Sequence, residues 1–213
     1  MRTCVLILSI GGCLYGQPAT GKEGPTEKGL PPRATPKDYQ VQGQAGEITI
    51  GAEFTGHSLP TMEGPLTNEE YVGVELGLFG PAGAQLKISA SDFSLRVNGK
   101  KTPTPSEPFV KIVSALRDPE WVSPEQVEKK SKSSIGSGGG QGQDSGPPRP
   151  PKVPVAEQRA WAQRVQRASL PEGERPLPQA GLVFFSYRGK EKGIESVELI
   201  YEGPAGKATL TLQ

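Results

Sequence analysis

Apolar and polar residues alternate with a period of two along several stretches of this chain, the mark of strands that bury one face. In Glu47–Phe54 the apolar set is Ile48, Ile50, Ala52 and Phe54, and in Tyr71–Phe79 it is Val72, Val74, Leu76 and Leu78. Phe93–Val97 alternates cleanly and runs into Asn98-Gly99, the strongest short hairpin signal. Ile194–Tyr201 and Thr209–Leu212 repeat the pattern, and Tyr39-Gln40-Val41 begins it, with a bend expected over Gly43–Gly46. Gly181–Tyr187 is apolar without alternation and predicts a strand buried on both faces. The apolar run Phe109–Leu116 predicts a further strand.

An internal echo adds architecture. Val74-Glu75-Leu76 precedes Gly80-Pro81-Ala82-Gly83 by three residues, and Val197-Glu198-Leu199 stands in the same relation to Gly203-Pro204-Ala205-Gly206. Proline second and glycine fourth suit a type I turn. The apolar registers after the two turns differ by one residue (Ala84, Leu86, Ile88 against Ala208, Leu210, Leu212), which favours two similar hairpins over a duplicated domain.

Helical signals are few. Pro124–Lys130, capped by Ser123, reads as a short helix. A second runs from Pro154 or Val155 to Ala168, with a narrow stripe of Trp161, Val165 and Ala168 to rest on the sheet, while Arg159, Arg164 and Arg167 cover the remainder. That stripe is too thin for a membrane-surface helix.

The 28 Gly and 22 Pro together approach a quarter of the 213 residues. Such a content signals low-complexity segments or a turn-rich β protein, and here both apply. Residues 17–37 hold one large apolar side chain, Leu30, and read as a flexible tether. The stretch 131–152 is rich in Gly, Ser and Pro and reads as a disordered core within an insertion spanning 117–179. The expected fold is therefore all-β: an antiparallel sandwich over 38–213, interrupted by a long insertion that is partly helical and partly disordered.

Residues 1–16 carry one early positive charge and a short apolar run, the pattern of an export signal rather than a membrane span. Two processing routes fit: cleavage near Gly16, or lipidation of Cys13, since Ile10-Gly11-Gly12-Cys13 resembles a lipobox. The expected location is periplasmic or extracellular, with membrane attachment only through a lipid on Cys13. Both cysteines, Cys4 and Cys13, fall in this leader, which excludes a disulfide framework, a thiol nucleophile and a thiolate metal site from the exported part. A net charge of +1 argues against nucleic acid as a partner.

The leading strand, the YVGVELGLF strand and the late LVFFSYRG, VELIYEG and ATLTL segments are similar to immunoglobulin-like extracellular domains of bacterial lipoproteins and secreted proteins. The resemblance covers 38–116 and 180–213. It implies binding or scaffolding at the cell envelope and no catalytic residues.

Chemistry is sparse. His57, the only histidine, lies in Gly56-His57-Ser58-Leu59-Pro60, which fails the nucleophile-elbow pattern because proline stands where glycine belongs. No glycine-rich phosphate loop or calcium loop is present, and no cofactor is expected. Glu47, Glu53, Glu75, Glu195 and Glu198 fall on strands, and paired carboxylates of this kind could serve a polysaccharide hydrolase if two faced each other across a cleft. The loop Thr55–Thr67 could instead dock as an inhibitor does. The reading preferred over both is a non-enzymatic exported module that engages an envelope protein or glycan, with Trp121 and His57 as candidate partner-surface residues and Trp121 as the exposed aromatic.

Overall fold

The structure, a computed structural model, describes residues 29–121 and 153–213. The expected export signal with Cys13 and Gly16, the first part of the tether, the short helix at 124–130 and the expected disordered core at 131–152 lie outside the described residues.

The protein is mostly antiparallel β. In chain order the strands are β1 (Val41–Ala45), β2 (Ile48–Gly56), β3 (Ser58–Leu59), β4 (Leu66–Asn68), β5 (Tyr71–Phe79), β6 (Gln85–Ile88), β7 (Phe93–Val97), β8 (Thr104–Glu107), β9 (Leu116–Arg117), β10 (Gly173–Pro176), β11 (Gln179–Ser186), β12 (Val197–Gly203) and β13 (Gly206–Thr211). Two α-helices are described, α1 (Phe109–Ile112) and α2 (Val155–Ala168).

Where the sequence suggests two stacked sheets, the main strands form one eight-stranded sheet ordered β1-β2-β5-β11-β8-β7-β12-β13. It is barrel-like. Strand β8 hinges its two leaves, pairing with β11 at Phe184↔Glu107 and Phe185↔Ser106, and with β7 at Leu95↔Thr104 and Ser94↔Pro105. The end strands β1 and β13 approach each other without a paired register. At this seam a Cβ on Gly43 would stand 3.0 Å from Leu210 Cγ, so the glycine leaves the space that Leu210 fills. Gly43 is accordingly inside β1, not in a bend; the turn lies at Gly46, whose φ is 59°.

The period-two pattern is realised residue by residue. Ile48, Ile50, Ala52, Val72, Val74, Leu76, Leu78, Phe93, Leu95, Val97, Val197, Leu199, Leu210 and Leu212 converge on the barrel interior. The Asn98-Gly99 turn has φ of 53° and 63°, the left-handed pair that a type I′ hairpin requires. The two GPAG sequences diverge. Gly203 pairs with Gly206 and closes a β12–β13 hairpin, as expected. In the first copy the turn slips by one residue, Ala84 N donating to Pro81 O with Gly83 at φ 79°. Strand β6 then leaves the barrel sheet and pairs with β10. The one-residue difference in apolar register follows this slip.

Two expectations are corrected. Phe109–Leu116 is not a strand but a helical turn, a 3-10 turn over Val113–Ala115 and the two-residue β9. Pro108 starts the turn, and Ile112 and Leu116, four apart, both point into a second apolar cluster. The tether, in turn, is not loose from residue 29 onward. Gly29 N donates to Arg167 O, and Leu30 forms an antiparallel bridge with Ala180. Arg33 reaches Glu53 at 2.6 Å and Glu75 at 3.1 Å.

This strap resolves a conflict in the sheet. Glu53 and Glu75 are cross-strand partners on the outer face, an arrangement that like charges destabilise. Arg33 spans both carboxylates and stacks 4.5 Å above the Tyr39 ring. Burial lowers its proton affinity, but the hydrogen bonds to Glu75 and Glu53 outweigh that and raise it. Tyr39 lies on the cross-strand pair Gly51↔Gly77, where a Cβ on Gly51 would stand 2.5 Å from Tyr39 Cδ2 and one on Gly77 would collide with the phenol. Glycine at both positions makes the trough. Gly77→Ala should therefore cost about 1–3 kcal/mol through overpacking. Urea denaturation will show this, and the penalty should shrink when Tyr39→Ala removes the ring.

Candidate functional site

The outer face of β11 carries a second layer. Its inward residues Val183 and Phe185 belong to the barrel core, while Leu182 and Phe184 face outward beneath α2. The helix sets Trp161, Val165 and Ala168 on them, the stripe legible in its sequence. Leu59, Leu66, Ile112 and Leu116 complete this cluster.

Arg164 fixes the layer to the surrounding loops. It bonds Asp118 at 2.7 Å and donates to the carbonyl oxygens of Glu63 and Gly64, with both members of the ion pair about 15% exposed or less (14% and 15%). Arg167 pairs with Glu63. The loop Thr55–Thr67 is thus not a free protrusion: it contains β3, and Leu59 and Leu66 are buried, while Met62 at its tip is strongly exposed. Trp121 is likewise not an exposed platform. It is half-buried, edge-on to Trp161 at 6.1 Å between centroids.

His57 is an internal clasp. Its Nδ1 lies 2.6 Å from Asn68 O and 3.0 Å from Tyr71 O, and its Nε2 lies 2.8 Å from Gly189 O. Its backbone N–H donates to Glu191 Oε1. The ring is half-buried and committed to carbonyls of two segments, the β4–β5 connection and the β11–β12 loop, which leaves it little to offer a partner. Of the carboxylates read onto strands, Glu53 and Glu75 share Arg33 and Glu198 pairs with Arg96 at 2.8 Å, whereas Glu47 lies in the turn before β2 and Glu195 precedes β12. The one cross-strand pair among them lies under the strap rather than across a cleft.

The described residues do hold an open cleft of about 370 Å³, between α2, β11 and the β8–α1 corner. Phe109, Leu170, Leu182 and Phe184 give it an apolar floor. Glu107, Glu172, Arg175, Gln166 and Ser91 form a polar rim. The cleft exists because β8 pairs with β11 at only two positions, after which Pro108 turns the chain away. Further along that edge, Leu170 N donates to Leu182 O at 2.9 Å.

The rim is tied together. Ala90 N donates to Glu172 Oε1 and Ser106 Oγ to Ala90 O, while Arg175 Nε donates to Glu172 O at 3.2 Å. Lys111 holds one oxygen of Glu107 at 2.6 Å. Behind the rim, burial pushes the Asp92 carboxyl above its ordinary range; a backbone bond from Ser89 and the nearby Lys87 oppose this, and Glu172 adds to it. None of these cleft residues is marked in the sequence by spacing or motif, since they come from four separate segments.

Among the described residues there is no cluster of three or more His, Cys, Asp or Glu able to hold a metal ion, and no helix long and apolar enough to cross a membrane. No family model matches this chain, and comparisons with curated proteins and with solved structures give no match.

Two consequences are measurable. Arg164→Ala strands Asp118 in a largely buried setting and should cost about 1–3 kcal/mol in urea denaturation. Asp92 has the raised-carboxyl sign: its ionised form is disfavoured by folding, so stability is lost as pH rises through its folded value. Asp92→Asn should then be more stable than the parent at about pH 7 and indistinguishable from it at about pH 3, where both folded and unfolded Asp92 are protonated.

Proposed function

We propose that this protein is an exported, non-enzymatic binding module of the bacterial envelope or exterior, acting on a protein or glycan partner through the cleft beside α2. In this reading the antiparallel leaves over one core form an immunoglobulin-like sandwich closed along its edges. The leader sequence, with cleavage near Gly16 or a lipid on Cys13, supplies the route out of the cytosol.

The observation that carries the reading is the cleft: an apolar floor under a polar rim, at a size found among small-ligand sites. On the strand faces, Glu53 and Glu75 are bridged by Arg33 and Glu198 is paired with Arg96, which supports binding over turnover there. The clasped His57 supports it too.

A photo-crosslinking side chain tests this directly. Placed at exposed Ser91 on the cleft rim, it should give discrete adducts with an envelope protein or glycan. The same group at exposed Lys207, on the β12–β13 hairpin away from the cleft, should not. No adduct at Ser91, or equal labelling at both sites, overturns the proposal.

A further inference from the structure

The cleft has a charge and a size that narrow its guest. About 370 Å³ is at the lower end of sites that enclose a whole small ligand. A guest seated there keeps most of its body outside, as a side chain of a larger partner does. Two carboxylates, Glu107 and Glu172, border it against one guanidinium, Arg175, whose Nε donates to Glu172 O. Lys111 occupies Glu107 Oε2 and Ala90 N occupies Glu172 Oε1, so each carboxylate keeps one oxygen for a donor from outside. Asp92 adds a further acid behind Glu172.

We infer that the cleft receives a lysine or arginine side chain from an extended segment of a partner protein, its aliphatic stem on Leu170, Leu182 and Phe184 and its cationic head between Glu107 and Glu172. Long basic side chains combine an apolar stem with a charged tip, and this cleft offers an apolar floor below acceptors. An acidic guest would add a further negative charge to the rim, which like-charge juxtaposition disfavours. The inference rests on the binding-module reading and names its ligand.

The test uses the full chain and follows backbone amide shifts of Leu170, Leu182 and Phe184. Its probes are a blocked lysine–leucine dipeptide, the glutamate–leucine counterpart and n-butylamine. The lysine peptide should give saturable shifts confined to the cleft and bind about 3–5-fold more tightly than the glutamate peptide. Glu107→Gln with Glu172→Gln should abolish that preference. Should this double variant fail to fold, Arg175→Gln on exposed β10 serves instead, and it should tighten lysine-peptide binding.

Equal binding of the two peptides, tighter binding of the glutamate peptide, or shifts outside the cleft would overturn the inference. So would n-butylamine binding as tightly as the lysine peptide, which would make the guest a free amine. Crosslinks at Ser91 without any cation preference would sink this inference alone; absence of both would sink the binding-module reading with it.

Discussion

Strand β11 must be covered on both faces, and the rest of the molecule is arranged around that demand. Six of its eight residues are buried, and Leu182 to Phe185 alternate between two separate apolar clusters. A strand of this kind cannot sit in a one-sided sheet, because its outer residues would stay in water. The chain answers with α2 and the β3-β4-β9 sheet, which lie over Leu182 and Phe184. Helix α2 comes late in an insertion of glycine- and proline-rich sequence, yet it belongs to the fold through Trp161, Val165 and Ala168.

The two sides of the barrel wall are held by different physics. Inside, burial of branched and aromatic side chains is non-directional, and a simple period-two pattern suffices. Outside, the strap is held by directional contacts: Arg33 on two carboxylates, Tyr39 in a trough of paired glycines, and a backbone bridge at Ala180. The second edge of β11 is covered piecemeal by Leu30, Leu170 and β8, each from a distant part of the chain. Because the end strands β1 and β13 lie against each other and this edge is shared out, strand addition is a less natural mode of partner binding than occupation of the cleft beside α2.

That gap is the cleft beside α2. It results from a short β8 meeting a long β11, with Pro108 and the helical turn after it diverting the chain. Its floor is continuous with the second apolar cluster, and its rim holds the charges that the neighbouring turns project. The functional reading therefore grows from this mismatch in strand length.

Much of the barrel was legible in the sequence, since each interior face follows from alternation within one segment. The α2 stripe, the type I′ turn at Asn98-Gly99 and the double burial of β11 needed only local pattern. The helical turn at Phe109 was not legible, because a short apolar run fits strand and helix equally until Pro108 and the second cluster decide. Trp121 and His57 read as candidate partner-surface residues, but their surroundings are packing and clasping rather than display. The strap escaped notice because it has almost no apolar residues, and its anchors, Glu53, Glu75, Gly51 and Gly77, lie elsewhere in the chain. Local order of side chains thus determined which segments became strands and which faces they buried, because burial acts on neighbours two residues apart. Only the tertiary structure decided that the sheet curls into a barrel-like form, that the strap docks and that a cleft opens, because each depends on residues brought together from far apart.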